Sequence, residues 1–335
     1  MWFKLPDSGQ SSVSFVRWVA RTAVLMSFEI CTAVLPDYPG LARAGGICGG
    51  LPFPLLTSFG PTPHVELSID AVPRSFLVDF GTTKNIVWTS SRETARATRR
   101  AAINLPGLAA ADFLLRFDPD ASKPRQPAGI LGTDILSHLT IHLDERRAWI
   151  SATSCDPSTL RRAGFKPIDQ TGFFSFDPAR IERHRANVPV VFLRFGKTRV
   201  WAQLDSGYAD PPASNTVDIN LALFERMNGE ATLTPDGTVT VSTCEGLVTR
   251  PAFRSTGAPV IIEDETGATL RVVNASRLVL KRENGCGGIG AMTEPAAQVG
   301  ASFLRTLGPV VFEPLAQRVW IREAPSEALD VNRPP

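Results

Sequence analysis

Two aspartates far apart along the chain each stand two residues before a glycine, in the patterns Asp79-Phe-Gly and Asp205-Ser-Gly. Two carboxyl groups held within a few ångströms of each other cannot both ionise cheaply, so the pair retains one proton. The carboxylate can then take a proton from water while the protonated partner donates to a carbonyl oxygen. If the fold brings Asp79 and Asp205 together, the pair could hydrolyse an amide. This mechanism would require neither a metal nor a covalent intermediate.

Both patterns end stretches of sequence that match each other without a gap at an offset of 126 residues. In each copy, apolar residues alternate before the aspartate, which is typical of a half-buried strand. An internal repeat that supplies one carboxylate per copy predicts a two-lobed molecule with paired acids at its centre. The identical pairs are Val65 and Val191, Leu67 and Leu193, Asp79 and Asp205, and Gly81 and Gly207.

A second glycine motif follows in each copy, as Ile130-Leu131-Gly132 and as Gln298-Val299-Gly300. After each motif the sequence predicts a short helix and then a closing hairpin, which ends in Ala148-Trp-Ile150 in the first copy and in Val319-Trp-Ile321 in the second. Each copy therefore predicts a strand, an Asp-x-Gly turn, connecting strands, the glycine motif, a helix and a hairpin.

This order of motifs resembles that of the pepsin and retropepsin superfamily of aspartic peptidases, in which an Asp-Thr/Ser-Gly loop is braced by a later apolar-apolar-Gly segment. The resemblance covers roughly residues 60–323. It implies a mainly β, bilobal fold of two pseudo-symmetric lobes with few short helices, and an endopeptidase that acts on peptides or proteins without a cofactor. The residues that it implies are catalytic Asp79 and Asp205, a supporting loop of Gly81, Thr82, Ser206 and Gly207, and a bracing motif of Leu131, Gly132, Val299 and Gly300.

The chain departs from the family pattern in both loops. Thr or Ser usually follows the catalytic aspartate and its hydroxyl bonds to the other lobe; Ser206 fits this pattern, but Phe80 cannot make the hydrogen bond. Tyr208 occupies a position where Thr or Ser is common, and the expected flap at 104–117, with the small residues 106–110 at its centre, contains no tyrosine. Because of these departures, a second interpretation stays open: the protein is a catalytically inactive relative of the peptidases and binds peptides or a partner protein in the cleft. For either Asp-x-Gly taken singly, an ordinary turn is a further alternative.

The length of 335 residues suits two domains of common size. Short runs of Val, Ile, Phe, Leu and Thr between 26 glycines and 27 prolines predict strands and turns, with helices at 221–227 and after Gly132 and Gly300. The spacing from aspartate to bracing glycine is 53 residues in the first copy and 95 in the second, which predicts an insertion within 232–294. The expected parts are a first lobe at 37–155, a connection at 156–187, a second lobe at 188–323 and a tail at 324–335.

The charge balance gives no basic or acidic field. The net charge is +2 and 20% of the residues are charged, so nucleic acid is not an expected partner. We expect a monomer whose substrate lies extended across the cleft and adds a strand to the flap.

The N-terminal region predicts a signal peptide within 1–36. Arg17 and Arg21 precede an apolar run at 22–35, and Ala33 is a candidate cleavage position. Glu29 interrupts the run, so a stable membrane span is not expected. The alternatives are a disordered extension, a first strand, or a propeptide in which 38–54 covers the cleft. The protein is thus expected to be exported to the periplasm or the extracellular space, or otherwise to be cytoplasmic.

The cysteine count agrees with export. Removal of a signal peptide would take away Cys31 and leave four of the five cysteines. Cys244 and Cys286 flank the insertion at a spacing that resembles the disulfide hairpin of pepsin-like enzymes, and Cys48 could then meet Cys155 across the ends of the first lobe. Unpaired thiols in a reducing compartment are the alternative.

Overall fold

The structure is a computed structural model that describes residues 46–56, 60–89, 97–104, 111–119, 128–144, 146–174, 188–208, 215–229, 232–243, 246–275, 277–282 and 288–323. Several predictions from the sequence lie outside these residues: the leader at 1–36, the centre of the flap at 106–110, both Cys244 and Cys286, the end of the connection at 175–187 and the tail at 324–335.

The described residues are mainly β, as the composition predicts, and their helices are short. The first copy of the repeat forms β1 (Leu51–Pro54), β2 (His64–Ile69), β3 (Val72–Val78), β4 (Ile86–Thr89), β5 (Ala97–Asn104), β6 (Ala111–Pro119), β7 (Gly129–Leu131), α1 (Thr133–Leu136), β8 (Thr140–Leu143) and β9 (Arg147–Ser151). Between the copies lie α2 (Pro157–Arg162), β10 (Phe165–Pro167) and β11 (Gln170–Phe174).

The second copy is longer. It forms β12 (Val188–Phe195), β13 (Thr198–Leu204), β14 (Thr216–Asn220), α3 (Leu221–Asn228), β15 (Thr232–Thr243), β16 (Gly246–Thr256), β17 (Val260–Glu263), β18 (Thr269–Val273), β19 (Arg277–Lys281), β20 (Ala296–Val299), α4 (Ala301–Thr306), β21 (Val310–Glu313) and β22 (Arg318–Arg322). Single 3₁₀ turns occur at Gly288–Ala291 and Pro314–Ala316.

The strands form three sheets. The first copy closes a barrel in the order β2-β3-β7-β4-β6-β5. A ten-stranded sheet of the second copy runs β15-β16-β19-β14-β20-β13-β12-β17-β18, with β11 paired to β12. A six-stranded sheet, β1-β9-β8-β21-β22-β10, takes the closing hairpin of each copy and joins them where β8 pairs with β21. The two copies therefore share one sheet.

The hairpins that lead to the two aspartates have the same register. Val65 pairs with Phe76 in the first copy, and Val191 pairs with Ala202 at the same offset of 126 in the second. The short turns differ: Asp70 and Ala71 both have positive φ, whereas Gly196 supplies the positive φ in the second copy. Because both hairpins have equal strand length and register, each delivers its aspartate at the same point, directly after β3 or β13.

The next strands also correspond. β3 and β13 each pair in parallel with the strand that contains the bracing motif, so that Val78 lies opposite Leu131 and Leu204 lies opposite Val299. β4 pairs with β6 and β7 in the same way as β14 pairs with β19 and β20. The additional chain of the second copy folds as α3, the long β15–β16 hairpin and the β17–β18 hairpin.

The ends of the first copy are joined covalently. The structure bonds Cys48 to Cys155 as a disulfide, with the Cα atoms 4.6 Å apart. Residues 51–54, which the propeptide alternative would place over the cleft, pair instead with β9 at the edge of the six-stranded sheet. Within the described parts of the chain, no helix is long and apolar enough to cross a membrane.

Candidate active site

The two Asp-x-Gly loops pack against each other reciprocally. A Cβ atom placed on Gly81 would overlap with the carboxyl group of Asp205, and one placed on Gly207 would overlap with that of Asp79. Each carboxyl thus occupies the space that the glycine of the other copy leaves free. The approach requires glycine at both positions because any side chain would collide with the opposite acid.

Each aspartate is fixed by its own loop and by the bracing strand. The N–H of Gly81 donates to Asp79 Oδ1 at 2.7 Å, and that of Gly207 donates to Asp205 Oδ1 at 3.0 Å. The backbone N–H of each aspartate donates to the bracing motif of its copy, to Leu131 O at 3.0 Å or to Val299 O at 2.9 Å. Equivalent hydrogen bonds therefore hold both carboxyls in position.

The bracing glycines lie against the loop residue that follows each Asp-x-Gly. A Cβ on Gly132 would overlap with the carbonyl of Thr82, and a Cβ on Gly300 would overlap with that of Tyr208. The next residue in each copy then hydrogen-bonds to the loop: Thr133 N donates to Thr82 O at 2.8 Å, and Ala301 N donates to Tyr208 O at 2.7 Å. Gly132 and Gly300, which the resemblance assigns to the bracing motif, therefore each pack against the Asp-x-Gly loop of their own copy.

Ser206 connects the two copies beneath the acids. Its hydroxyl donates to Val78 O at 2.7 Å and accepts the N–H of Phe80 at 3.0 Å, so one side chain of the second copy makes two buried bonds to the first. The Phe80 ring is fully buried and stacks on Phe312 of β21 with the ring centroids 4.2 Å apart. Phe80 thus replaces the missing hydroxyl bond with an apolar contact between the copies.

The two carboxyls form a coupled pair at the edge of solvent. Asp205 is 9% exposed and Asp79 is partly exposed. Burial and the adjacent charge of Asp205 raise the pKa of Asp79 well above its ordinary value, and the two side chains are hydrogen-bonded to each other. Burial also raises the pKa of Asp205, against the opposing effects of its hydrogen bonds and of the Lys281 charge. The pair therefore keeps one proton where an isolated aspartate would have lost it.

Polar side chains near Asp205 were not among the residues predicted from the sequence. Gln298 Nε2 donates to Asp205 Oδ2 at 2.6 Å, and Gln203 Nε2 donates to Gly81 O at 3.3 Å. Lys281 is buried and acts on Asp205 through its positive charge. The one signal in the sequence was Gln298, a polar residue where the bracing motif of the family is apolar.

A second buried polar group supports the loop after Gly207. The Tyr208 hydroxyl donates to Asp218 Oδ1 at 3.0 Å, and Arg250 of β16 forms an ion pair with the other carboxylate oxygen of Asp218. Asp218 and Arg250 are both buried. The phenol of Tyr208, absent from the family pattern, thereby links the loop to the long β15–β16 hairpin.

A scan against protein-family models gives no match, and neither does a search of the curated proteins. Among solved structures, the chain is similar to conglutin gamma, a unique basic 7S globulin from lupine seeds. The two share 14% sequence identity with a TM-score of 0.44, and the match covers 82% of this chain and 94% of conglutin gamma. Inferences about function therefore depend on the geometry of Asp79, Asp205 and their neighbours.

Proposed function

We propose that the protein is an aspartic endopeptidase with two pseudo-symmetric β lobes, 37–155 and 188–323, whose cleft holds Asp79 and Asp205. The observation that supports this function is the reciprocal packing of each carboxyl against the glycine of the other copy. Contact between two acids is costly in an ordinary pair of turns, because desolvation raises the pKa of both aspartates and the charge of Asp205 raises that of Asp79 further. Such groups concentrate at functional sites.

The chemistry follows from one shared proton. The ionised carboxylate accepts a proton from water as the water oxygen attacks the carbonyl carbon of the scissile peptide, and the protonated carboxyl donates to the carbonyl oxygen. A neutral gem-diol results. In the second step the proton taken from water passes to the amide nitrogen and the C–N bond breaks. The other carboxyl recovers its proton from a gem-diol hydroxyl, so that a carboxylic acid and an amine leave and the pair returns to its starting state.

The β5–β6 hairpin occupies the place in the chain where the resemblance implies a flap. Its strands are paired along their length, from Ala97 opposite Phe117 to Ile103 opposite Ala111. An extended substrate that adds its backbone to such a hairpin would gain main-chain hydrogen bonds and specificity from alternate side chains. The Cys48–Cys155 disulfide supports the further proposal that the protein is exported, since disulfides persist in oxidising compartments.

The test is incubation of the protein with a diverse peptide library at acidic and neutral pH, with and without a statine-type inhibitor. Cleavage that the inhibitor blocks, and that Asp79→Asn and Asp205→Asn each abolish, is the expected result. Thermal unfolding of the variants serves as the control for folding. Turnover retained in either variant, or cleavage that the inhibitor leaves untouched, would contradict the carboxyl-pair mechanism.

A second candidate is an inactive relative that binds peptides in the same cleft. Phe80 supports it, because the residue removes one of the two hydroxyl bonds that the family pattern places beneath the acids. Peptides that bind without being cut, with equal affinity for the wild-type protein and for the Asp79→Asn variant, would establish this function in place of the first.

A further inference from the structure

Asp79 and Asp205 make equivalent backbone hydrogen bonds, but the side chains next to their carboxyl groups differ. Leu131 and Val299 accept equivalent bonds from the two aspartates, so the preceding residues, Ile130 and Gln298, occupy equivalent positions. An apolar side chain therefore stands in the first copy where an amide stands in the second. Gln298 uses that amide to donate to Asp205 Oδ2 at 2.6 Å.

Strand register identifies a second unequal pair. Gly129 and Ala297 are equivalent through the bracing motif, and they lie opposite Val87 and Ile219 respectively. These residues in turn pair with Phe117 and Leu280 on the next strand. The following residues are Asp118 in the first copy and Lys281 in the second, so a negative side chain corresponds to a positive one.

Lys281 belongs to the polar cluster around Asp205. A Cβ on Gly288 would lie 3.3 Å from Lys281 Nζ and 3.7 Å from Gln203 Oε1, which places the ammonium and the Gln203 amide next to the same glycine. The Gln203 amide donates to the carbonyl of Gly81, the glycine that packs against Asp205. Lys281 is 8% exposed, so its charge is only weakly screened by water. In the first copy, Asp118 is instead paired with Arg116 at 2.9 Å.

We propose that Gln298 and Lys281 are positioning residues that hold the single negative charge of the carboxyl pair on Asp205. Asp205 then accepts the proton of the attacking water, and Asp79 donates its proton to the carbonyl oxygen. On collapse of the gem-diol, Asp205 gives the proton to the amide nitrogen and Asp79 recovers one from a hydroxyl. This assignment of roles rests on the proposed function, whereas the location of the charge does not.

The groups around Asp205 that bear on its charge come from four places. Asp79 lies across the copy boundary and Lys281 lies on β19; these are the titratable groups among the described residues that act on Asp205 most strongly. Gln298 on β20 and the backbone N–H groups of Gly207 and Tyr208 are neutral donors. Desolvation by burial opposes the ionisation of Asp205, whereas the hydrogen bonds that Asp205 accepts and the charge of Lys281 favour it.

Two variants test the proposal: Lys281→Met removes the positive charge, and Gln298→Ile introduces the residue that the first copy has at the equivalent position. A third variant, Lys281→Arg, keeps the charge. Lys197→Met is the matched control, because Lys197 is exposed at the far end of β13 from Asp205. Thermal unfolding of each variant identifies any that fails to fold, and the other substitution then carries the test.

The first readout is the ionisation of the aspartate carboxyls by ¹³C NMR, with the Asp79 and Asp205 resonances assigned through their Asn variants. We expect Lys281→Met and Gln298→Ile each to move the first ionisation of the pair to higher pH, by about one unit for the lysine. Lys281→Arg and Lys197→Met should leave it in place. Titration curves that coincide with wild type in both Lys281→Met and Gln298→Ile would overturn the proposal.

The second readout is the pH dependence of kcat/KM for a cleaved peptide. The acidic limb of the kcat/KM profile should shift by the same amount as the NMR titration. The kcat/KM of Lys281→Met should therefore be about tenfold below wild type at low pH and should return to the wild-type value as the pH rises. A loss independent of pH would indicate a purely structural role and would also overturn the proposal. If no peptide is cut but the NMR shift occurs, the peptidase function fails while the location of the charge stands.

Discussion

The ring of Phe80, one residue after the first aspartate, stacks on Phe312 of the second copy with the centroids 4.2 Å apart and the planes 19° from parallel. Both rings are fully buried in the core that the two copies share. Phe312 lies on β21, which pairs with β8 of the first copy. The contact therefore fixes the first Asp-x-Gly loop to the sheet that joins the copies.

We expect Phe80→Ala to cost about 3–5 kcal/mol of unfolding free energy, since it removes a buried ring and leaves a cavity. Phe80→Thr should also destabilise the protein, because a new hydroxyl does not replace the lost stacking. Denaturant unfolding measures both. The control is Leu247→Ala at a site that is 78% exposed, where the change should stay within about 0.5 kcal/mol. A Phe80→Thr protein as stable as wild type would show that the ring contributes little.

The glycines of the two loops give a prediction about geometry. Gly81→Ala introduces a Cβ into the space of the Asp205 carboxyl, so the carboxyl must move. A displacement of about 1 Å in a catalytic group can cost on the order of 100-fold in rate, and we expect at least that loss in kcat/KM. Peptide cleavage at the pH of highest activity is the measurement.

Gly229→Ala is the matched control for this change. Gly229 has a φ of −87°, and its added Cβ would meet Arg226 O at an ordinary 3.5 Å. This variant should retain wild-type activity. Equal activity in Gly81→Ala and Gly229→Ala would mean that the close approach of Gly81 to Asp205 is not needed for hydrolysis.

The sequence predicts those parts of the fold that depend on local pattern. Alternating apolar residues identify β2, β3, β12 and β13, and an Asp-x-Gly turn follows both the β2–β3 hairpin and the β12–β13 hairpin. The helix at Leu221–Asn228 begins close to its predicted position because Asn220 caps it, accepting the N–H of Leu223 at 3.0 Å. The repeat also predicts which two acids meet, since equal spacing in two copies implies equal placement.

The remainder of the site depends on pairing between distant segments. Lys281 acquires its position through the register of β19 on β14, which no local pattern encodes. Phe80 illustrates the same limit: the sequence shows that a hydroxyl bond is lost, but not that Phe312 receives the ring. The links from Tyr208 to Asp218 and from Asp218 to Arg250 likewise require knowledge of where β14 and β16 lie.

The last prediction concerns stability in acid. His142 on β8 is buried, stacks on Trp149 at a centroid distance of 4.7 Å and meets Phe165 edge-on at 5.8 Å. Neither ring nitrogen has a hydrogen-bond partner among the described residues. Burial lowers the pKa of His142 from 6.5 to about 4, because a protonated ring would place a charge in this apolar surrounding.

The sign of the effect follows from proton binding. Between pH 6.5 and pH 4 the unfolded chain binds a proton at His142 that the folded protein does not, so the free energy of unfolding falls as the pH falls through this window. His142→Phe, which keeps an aromatic ring between Trp149 and Phe165, should remove that fall, by up to about 3 kcal/mol at pH 4. Unfolding in denaturant at pH 7 and pH 4 measures the difference for each protein. Equal losses in wild type and variant would contradict the prediction, whereas a smaller loss in the variant would show that the buried His142 lowers the stability of the folded protein in acid.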